Sequence, residues 1–171
     1  MYVSFRHMKI VAISVLVVLV IWFLLSLLFP LSETQKIERL VGQVVKAVEA
    51  KSIRDLRFYL SEDFSARPGG DLESVISQLR RFFFQVKDLG VSVEYLKHQS
   101  DRLPDGATSA RLLVVVKVTG TINEQKFQAF GSAGADAFVT NMVKIDGKWL
   151  IESVRYVDAS DPVKALSELS Q

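Results

Sequence analysis

The longest unbroken pattern in the chain is apolar. From Ile10 to Phe29 every position is hydrophobic except Ser14 and Ser26. A hydrocarbon core about 30 Å thick takes about 20 helical residues to cross, and the run has that length. The serines cost little, because each hydroxyl can bond back to a carbonyl one turn earlier. Pro30 closes the run. A cleavable signal peptide has a shorter apolar region, about 7–15 residues, followed by small residues. Here the exit reads Leu28-Phe29-Pro30-Leu31-Ser32, so the run is expected to stay as a single-pass anchor. Arg6 and Lys9 precede it, and a basic flank stays in the cytoplasm. The pattern predicts a short cytoplasmic N-terminus at 1–9 and a transmembrane anchor at 10–29. Everything beyond is expected outside the inner (plasma) membrane, in the periplasm of a Gram-negative cell.

After Pro30 the period becomes that of amphipathic helices. Ser32-Glu33-Thr34-Gln35 is a helix start of the capping-box type. Ile37, Leu40, Val41, Val44, Val45 and Val48 then recur on one stripe, opposite Lys36, Glu38, Arg39, Gln43, Lys46 and Glu49. Ser52 starts a second, short helix carrying Ile53, Leu56, Tyr59 and Leu60. Glu62 to Arg67 has Phe64 as its one apolar anchor. Pro68-Gly69-Gly70 is a turn. Asp71 caps a third helix with Leu72, Val75, Ile76, Leu79, Phe82, Phe83 and Val86, and Gly90 is its expected end. Three phenylalanines in a row, Phe82-Phe83-Phe84, cannot all face one core at about 100° per residue, and Phe84 is the one left outside.

From Val91 the period is two. Val91, Val93 and Tyr95 are expected on one face of a strand, with Ser92, Glu94, Leu96 and His98 on the other. Ala110 to Ile122 is a long strand, apolar or small at every even position. Asn123-Glu124 starts a reversal into Lys126–Phe130, and Gly131-Ser132-Ala133-Gly134 reads as a bend. Ala137–Ile145 and Lys148–Asp158 flank Asp146-Gly147, a strong hairpin signal. Residues 159–171 form a tail in which Asp161-Pro162 opens a short helical segment with Val163, Leu166 and Leu169. The predicted class is α+β: a transmembrane helix, then three helices packed on a curved antiparallel sheet.

Composition narrows the function. Of the 171 residues, about 140 follow the anchor, enough for one domain with a sizeable core. Only Arg6 and Lys9 of the 21 basic residues, and none of the 19 acidic ones, precede Pro30, so the folded part is balanced. A nucleic-acid partner is not expected, since such domains carry a basic face. With no cysteine and two histidines, neither disulfides nor an all-protein metal site is expected, and no cofactor is implied.

The two capped amphipathic helices, the Phe64 segment, the third helix and the closing Asp146-Gly147-Lys148-Trp149-Leu150-Ile151 hairpin resemble the nuclear transport factor 2-like superfamily. That is the cystatin-like α+β cone also used by ketosteroid isomerases and limonene-epoxide-hydrolase-like enzymes. The resemblance covers residues 32–158 and implies a cone with a candidate pocket. The isomerase branch would need a tyrosine inside the first helix and a carboxylate in the pocket. The stripe from Ile37 to Val48 has no tyrosine. An anchor followed by this cone is also the layout of the assembly factor of type IV secretion systems, an analogy of architecture.

Few residues carry chemistry in this pattern. His98 and Asp101 are close in sequence and could form an acid–base pair, or lie on an exposed strand edge. Tyr59, Asp63 and Tyr95 are candidates for the mouth of a cone pocket. Asn141 is a candidate polar group on an otherwise apolar face, where a buried amide must be hydrogen-bonded. Gly131–Gly134 does not open a helix in a βαβ unit, so it is no phosphate loop. Arg80-Arg81 reads as a solvated face. On the last strand, Trp149, Ile151, Ser153, Arg155 and Val157 are expected on one face. Leu150, Val154 and Tyr156 are expected on the other, as a contact surface covered by the tail or by a partner. Two readings follow. One is a non-catalytic, membrane-anchored scaffold or assembly module, working as a homodimer or with a partner in a membrane complex. The other is a binder of small apolar molecules, or an isomerase- or hydrolase-like enzyme, using the cone pocket.

Overall fold

The computed structural model describes Val18, residues 31–99, Leu103, residues 106–129 and residues 136–157. The chain divides into two compact units, Met1–Ser32 and Glu33–Gln171. The expected anchor at 10–29 lies in the first unit and, apart from the helical Val18, outside the described residues. Asp101, the Gly131–Gly134 bend and the 159–171 tail, in the second unit, are likewise outside the described residues. Among the described residues no helix is long and apolar enough to cross a membrane.

The second unit opens with α1, Glu33–Glu49. It meets the sheet through Ile37 and Leu40 of the stripe and through Ala47, all buried. At its far end the Glu49 carboxylate accepts from the Val91 amide at 3.0 Å, and the Lys51 ammonium donates to the Val86 carbonyl. α2, Ile53–Arg57, is capped as expected, with Ser52 Oγ accepting from the Asp55 amide at 3.2 Å. It is shorter than its apolar pattern: Tyr59 lies in a turn, and Leu60 already begins β1, Leu60–Arg67. β2 is Gly70–Asp71. α3, Leu72–Gln85, starts at Asp71, whose Oδ1 accepts from the Ser74 amide at 2.9 Å. Phe83 is buried, Phe82 packs edge-on to Phe127 at 6.2 Å, and Phe84 is 93 % exposed.

Gly90 does not end α3. The helix stops at Gln85, and Gly90 lies inside β3, Lys87–His98. Its role is close approach, since a Cβ there would sit 3.0 Å from Thr119 Oγ1. β4 (Ser109–Ile122), β5 (Gln125–Ala129), β6 (Asp136–Ile145) and β7 (Lys148–Val157) follow. The reversals at Asn123-Glu124 (φ 51° and 67°) and Asp146-Gly147 (φ 51° and 78°) are two-residue turns with both residues left-handed, the geometry that matches strand twist.

The strands form one open curved sheet in the order β2-β1-β7-β6-β4-β3, with β5 also on β4. It is not wholly antiparallel. β1 pairs parallel with β7, the last strand. The sequence of β1 hides this, because its register against β7 slips between Leu60 and Ser65 and its buried residues, Ser61 and Phe64, fall three apart.

Two further irregularities reverse the expected faces. Val93 opposes Val116 while Tyr95 opposes Val115, so Glu94 is an extra residue in β3. Ile151 opposes Met142 while Ser153 opposes Asn141, so Glu152 is extra in β7. Each bulge turns everything beyond it to the other side. The inner face, under the helices, buries Ala110, Leu112, Val114, Met142, Trp149 and Ile151 against Ile37, Leu40 and Phe64. A second inner cluster joins Ala47, Leu56, Phe83, Val86 and Leu89. The outer face holds a smaller cluster of Leu113, Ala137, Val139 and Val157.

Gly120 lies where β4, β5 and α3 meet. A Cβ there would stand 2.7 Å from Val86 Cγ2 and 2.8 Å from the Phe127 ring. Gly120→Ala should therefore destabilise the protein by about 1–3 kcal/mol through overpacking, read as a lowered chemical-denaturation midpoint; an unchanged midpoint would show that the α3–β5 contact yields freely.

Candidate functional site

One polar group that the sequence pattern does not single out is heavily engaged. Glu33, in the first turn of α1, is buried. Lys36 donates to its Oε1 at 2.7 Å. Lys144 and the Trp149 indole donate to its Oε2 at 2.9 and 2.8 Å. The Asp146-Gly147 turn makes this possible: it pairs Lys144 with Trp149 across β6 and β7, side by side on the inner face. The Lys144 ammonium lies 5.8 Å from the centre of the Trp149 ring. The hydrogen bonds from Lys36 and Lys144 lower the Glu33 carboxyl to about 2, against the opposing effect of burial, with Trp149 adding to the lowering. An anion held this firmly is a weak base at neutral pH and cannot deliver a proton. The available signal was the tryptophan in the closing hairpin, because a buried indole N–H needs an acceptor.

The candidate pocket residues do not converge. Tyr59 is on the inner side, half-buried between the two inner clusters. Asp63 is exposed on β1, its amide donating to Ser61 Oγ at 3.3 Å. Tyr95, expected beside Val91 and Val93, is put on the outer side by the Glu94 bulge and is 47 % exposed. Asn141 is on the outer face with Val139 and Ala137, as its parity implies, which places it across the sheet from Tyr59. Its carbonyl oxygen accepts from Arg111 Nε at 2.8 Å and its amide donates to Ser153 Oγ at 2.8 Å. Its bonds run along the sheet from β4 to β7 and account for its polarity among apolar neighbours.

The same bulge carries His98 inward, opposite Leu112. Its side chain is 9 % exposed, and Glu38 Oε1 on α1 stands 3.8 Å from Nε2. Burial pushes the imidazole down from its ordinary value, with Glu38 opposing. His98 is therefore no exposed strand edge, and Asp101, its expected partner, lies outside the described residues.

The expected contact surface is also divided. Leu150 faces outward with Val143, before the Glu152 bulge. Beyond it Val154 turns inward and packs on the main core. Tyr156 lies on that inner side as well, edge-on to Phe138 at 5.8 Å. The three do not form one patch.

No protein-family model and no curated protein matches the chain. Solved structures do. A proposed scytalone dehydratase from Novosphingobium aromaticivorans aligns at a TM-score of 0.60 and 15 % identity, over 72 % of this chain and 82 % of that one. A proposed calcium/calmodulin-dependent protein kinase II association domain from Xanthomonas campestris aligns at 0.58 and 19 %, over 72 % and 86 %. An NTF2-like protein with a cystatin-like fold, also from Novosphingobium aromaticivorans, aligns at 0.58 and 10 %, over 78 % and 88 %. The chain has the NTF2-like, cystatin-like fold. Neighbours labelled as enzymes and as association domains share that frame, so fold alone selects neither activity.

The Glu33 cluster gives a direct test. Glu33→Ala leaves Lys144 and the Trp149 indole without their acceptor and should cost about 1–3 kcal/mol. Glu33→Gln keeps an acceptor but loses the charge. A carboxyl lowered in the folded state contributes stability that is present above its unfolded value and lost as pH falls through the folded one. The stability advantage of wild type over Glu33→Gln should therefore shrink between about pH 4.5 and about pH 2. An advantage independent of pH over that window would separate Glu33 from the two lysines.

Proposed function

We propose that the protein is a non-catalytic binding or assembly module, held at the inner (plasma) membrane by the 10–29 anchor, with its amino end cytoplasmic and its NTF2-like domain extracytoplasmic. The observation that carries the reading is the use made of the cone's inner face. Where an enzyme of this fold would present reactive groups, Ile37, Leu112 and Met142 are fully buried against one another. The carboxylate held there, Glu33, is committed to two lysines and an indole. The anchor rests on the length of the apolar run and on its basic flank. The partner is a second copy of the chain or another protein of a membrane complex.

His98 favours a second reading, that of a small-molecule binder or an isomerase- or hydrolase-like enzyme. It is an inward imidazole with a carboxylate 3.8 Å away, and such a pair can move protons. An apolar compound that co-purifies with the detergent-extracted protein favours this reading; a membrane protein recovered in stoichiometric amount favours the module.

Two measurements test the proposal. A reporter active only in the cytoplasm, fused after Gln171, should be silent, and activity there overturns the orientation. Alanine replacement of Asp63, Tyr95 or Asp101, each alone, should preserve whatever phenotype deletion of the gene removes. Loss of that phenotype by a folded, normally abundant variant would reject a module without turnover.

A further inference from the structure

His98 stands apart from every other buried polar group among the described residues. Neither ring nitrogen has a hydrogen-bond partner, and neither reaches the surface. No other described side chain has a buried nitrogen or oxygen left without a partner; Glu33 and Ser61, both buried, and the half-buried Asn141 all make side-chain hydrogen bonds. A neutral imidazole has one donor and one acceptor, and leaving both unmet in a buried place costs free energy. Among the described residues the groups around it are few. β4 presents Leu112 opposite it, and β3 presents Leu96 on the same side. α1 presents Glu38, whose side chain is 54 % exposed and whose Oε1 is 3.8 Å from Nε2, beyond hydrogen-bond length. Glu38 is the only ionisable group within ion-pair reach among the described residues. The neighbouring charges on α1 point elsewhere: Lys36 is bound to Glu33, and Arg39 is exposed.

We propose that His98 is a proton-operated latch between α1 and the end of β3. While neutral, the ring is tolerated in its apolar seat and the seam is closed. A proton taken from solvent makes it a cation with two donors and no acceptor in contact. The charged ring must then draw Glu38 inward or swing out to it, and either movement loosens the seam at the second turn of α1.

The sign follows from burial. A histidine that resists protonation in the folded state contributes stability that is complete above its unfolded value, near 6.5. That stability is lost as pH falls through the lower folded value. Acidification therefore opens the latch, which suits a domain whose pH follows that of the cell's surroundings.

The test uses the full chain in detergent micelles in a His7→Gln background, so that His98 is the one histidine. The imidazole carbon–proton signal should titrate with a midpoint below 6.5. Over the same range the amides of residues 96–98 and of the second turn of α1 should lose hydrogen-exchange protection, after correction for intrinsic rates. In His98→Leu that protection should be independent of pH between 7.5 and 5. In Glu38→Gln, which keeps His98, the midpoint should fall further. A midpoint at or above 6.5, or a loss of protection in His98→Leu equal to that of wild type, overturns the latch. If His98→Leu does not fold, the titration and the exchange profile of the His7→Gln protein decide alone: protection that stays constant through the midpoint overturns it.

Discussion

The domain depends on one buried carboxylate. Taking Glu33 out of water is unfavourable by several kcal/mol unless its charge is met, and it is met by Lys36, Lys144 and the Trp149 indole. Two of these donors lie on the last hairpin, 111 and 116 residues away in sequence. The contact fixes the first turn of α1 to the end of the sheet and holds the helix over the inner face. At the other end of α1, Glu49 and Lys51 bind the backbone where α3 passes into β3. The helix is thus held by charged groups at both ends and by apolar packing between. The apolar contacts supply most of the stability, but they are non-directional. The charged contacts set where along the sheet the helix lies.

This division of labour explains what could be read from the sequence. The caps at Ser52 and Asp71, the turns at Asn123-Glu124 and Asp146-Gly147, and the apolar stripe of α1 are local. Each depends on residues within one or two turns, so each was visible. The bulges at Glu94 and Glu152 were not. A bulge adds one residue without changing composition, and an exposed glutamate suits an ordinary outward strand position equally well. Strict alternation puts everything beyond each bulge on the wrong side, which is why Tyr95, His98, Val154 and Tyr156 lie elsewhere. Glu33 was hidden for a different reason. An acidic residue in the first turn of a helix is favourable on the surface, so its burial could be known only with Lys144 and Trp149 in place.

The same register bears on how the domain can meet others. β3 is a twelve-residue strand at one edge of the sheet, a position that invites pairing with another chain. The irregularity at Glu94, with exposed Lys87 and Lys97 on either side, disrupts the straight row of free amides and carbonyls that such pairing needs. Backbone pairing of another chain with this edge is in this way disfavoured.

The parallel pairing of β1 with β7 has a consequence for the chain as it is made. Of the described strands β1 is the first to leave the ribosome and β7 the last, yet they are neighbours in the finished sheet. β2 covers one side of β1 early, but its other side, and the Tyr59 carbonyl that accepts from the Ile151 amide at 2.8 Å, have no partner until residue 148 and those after it are available. The helices and the β3–β4 hairpin can form earlier, but the sheet cannot close around them. A nascent chain stopped anywhere before the last hairpin is therefore an open half-sheet, and completion of the domain is timed by its carboxyl end.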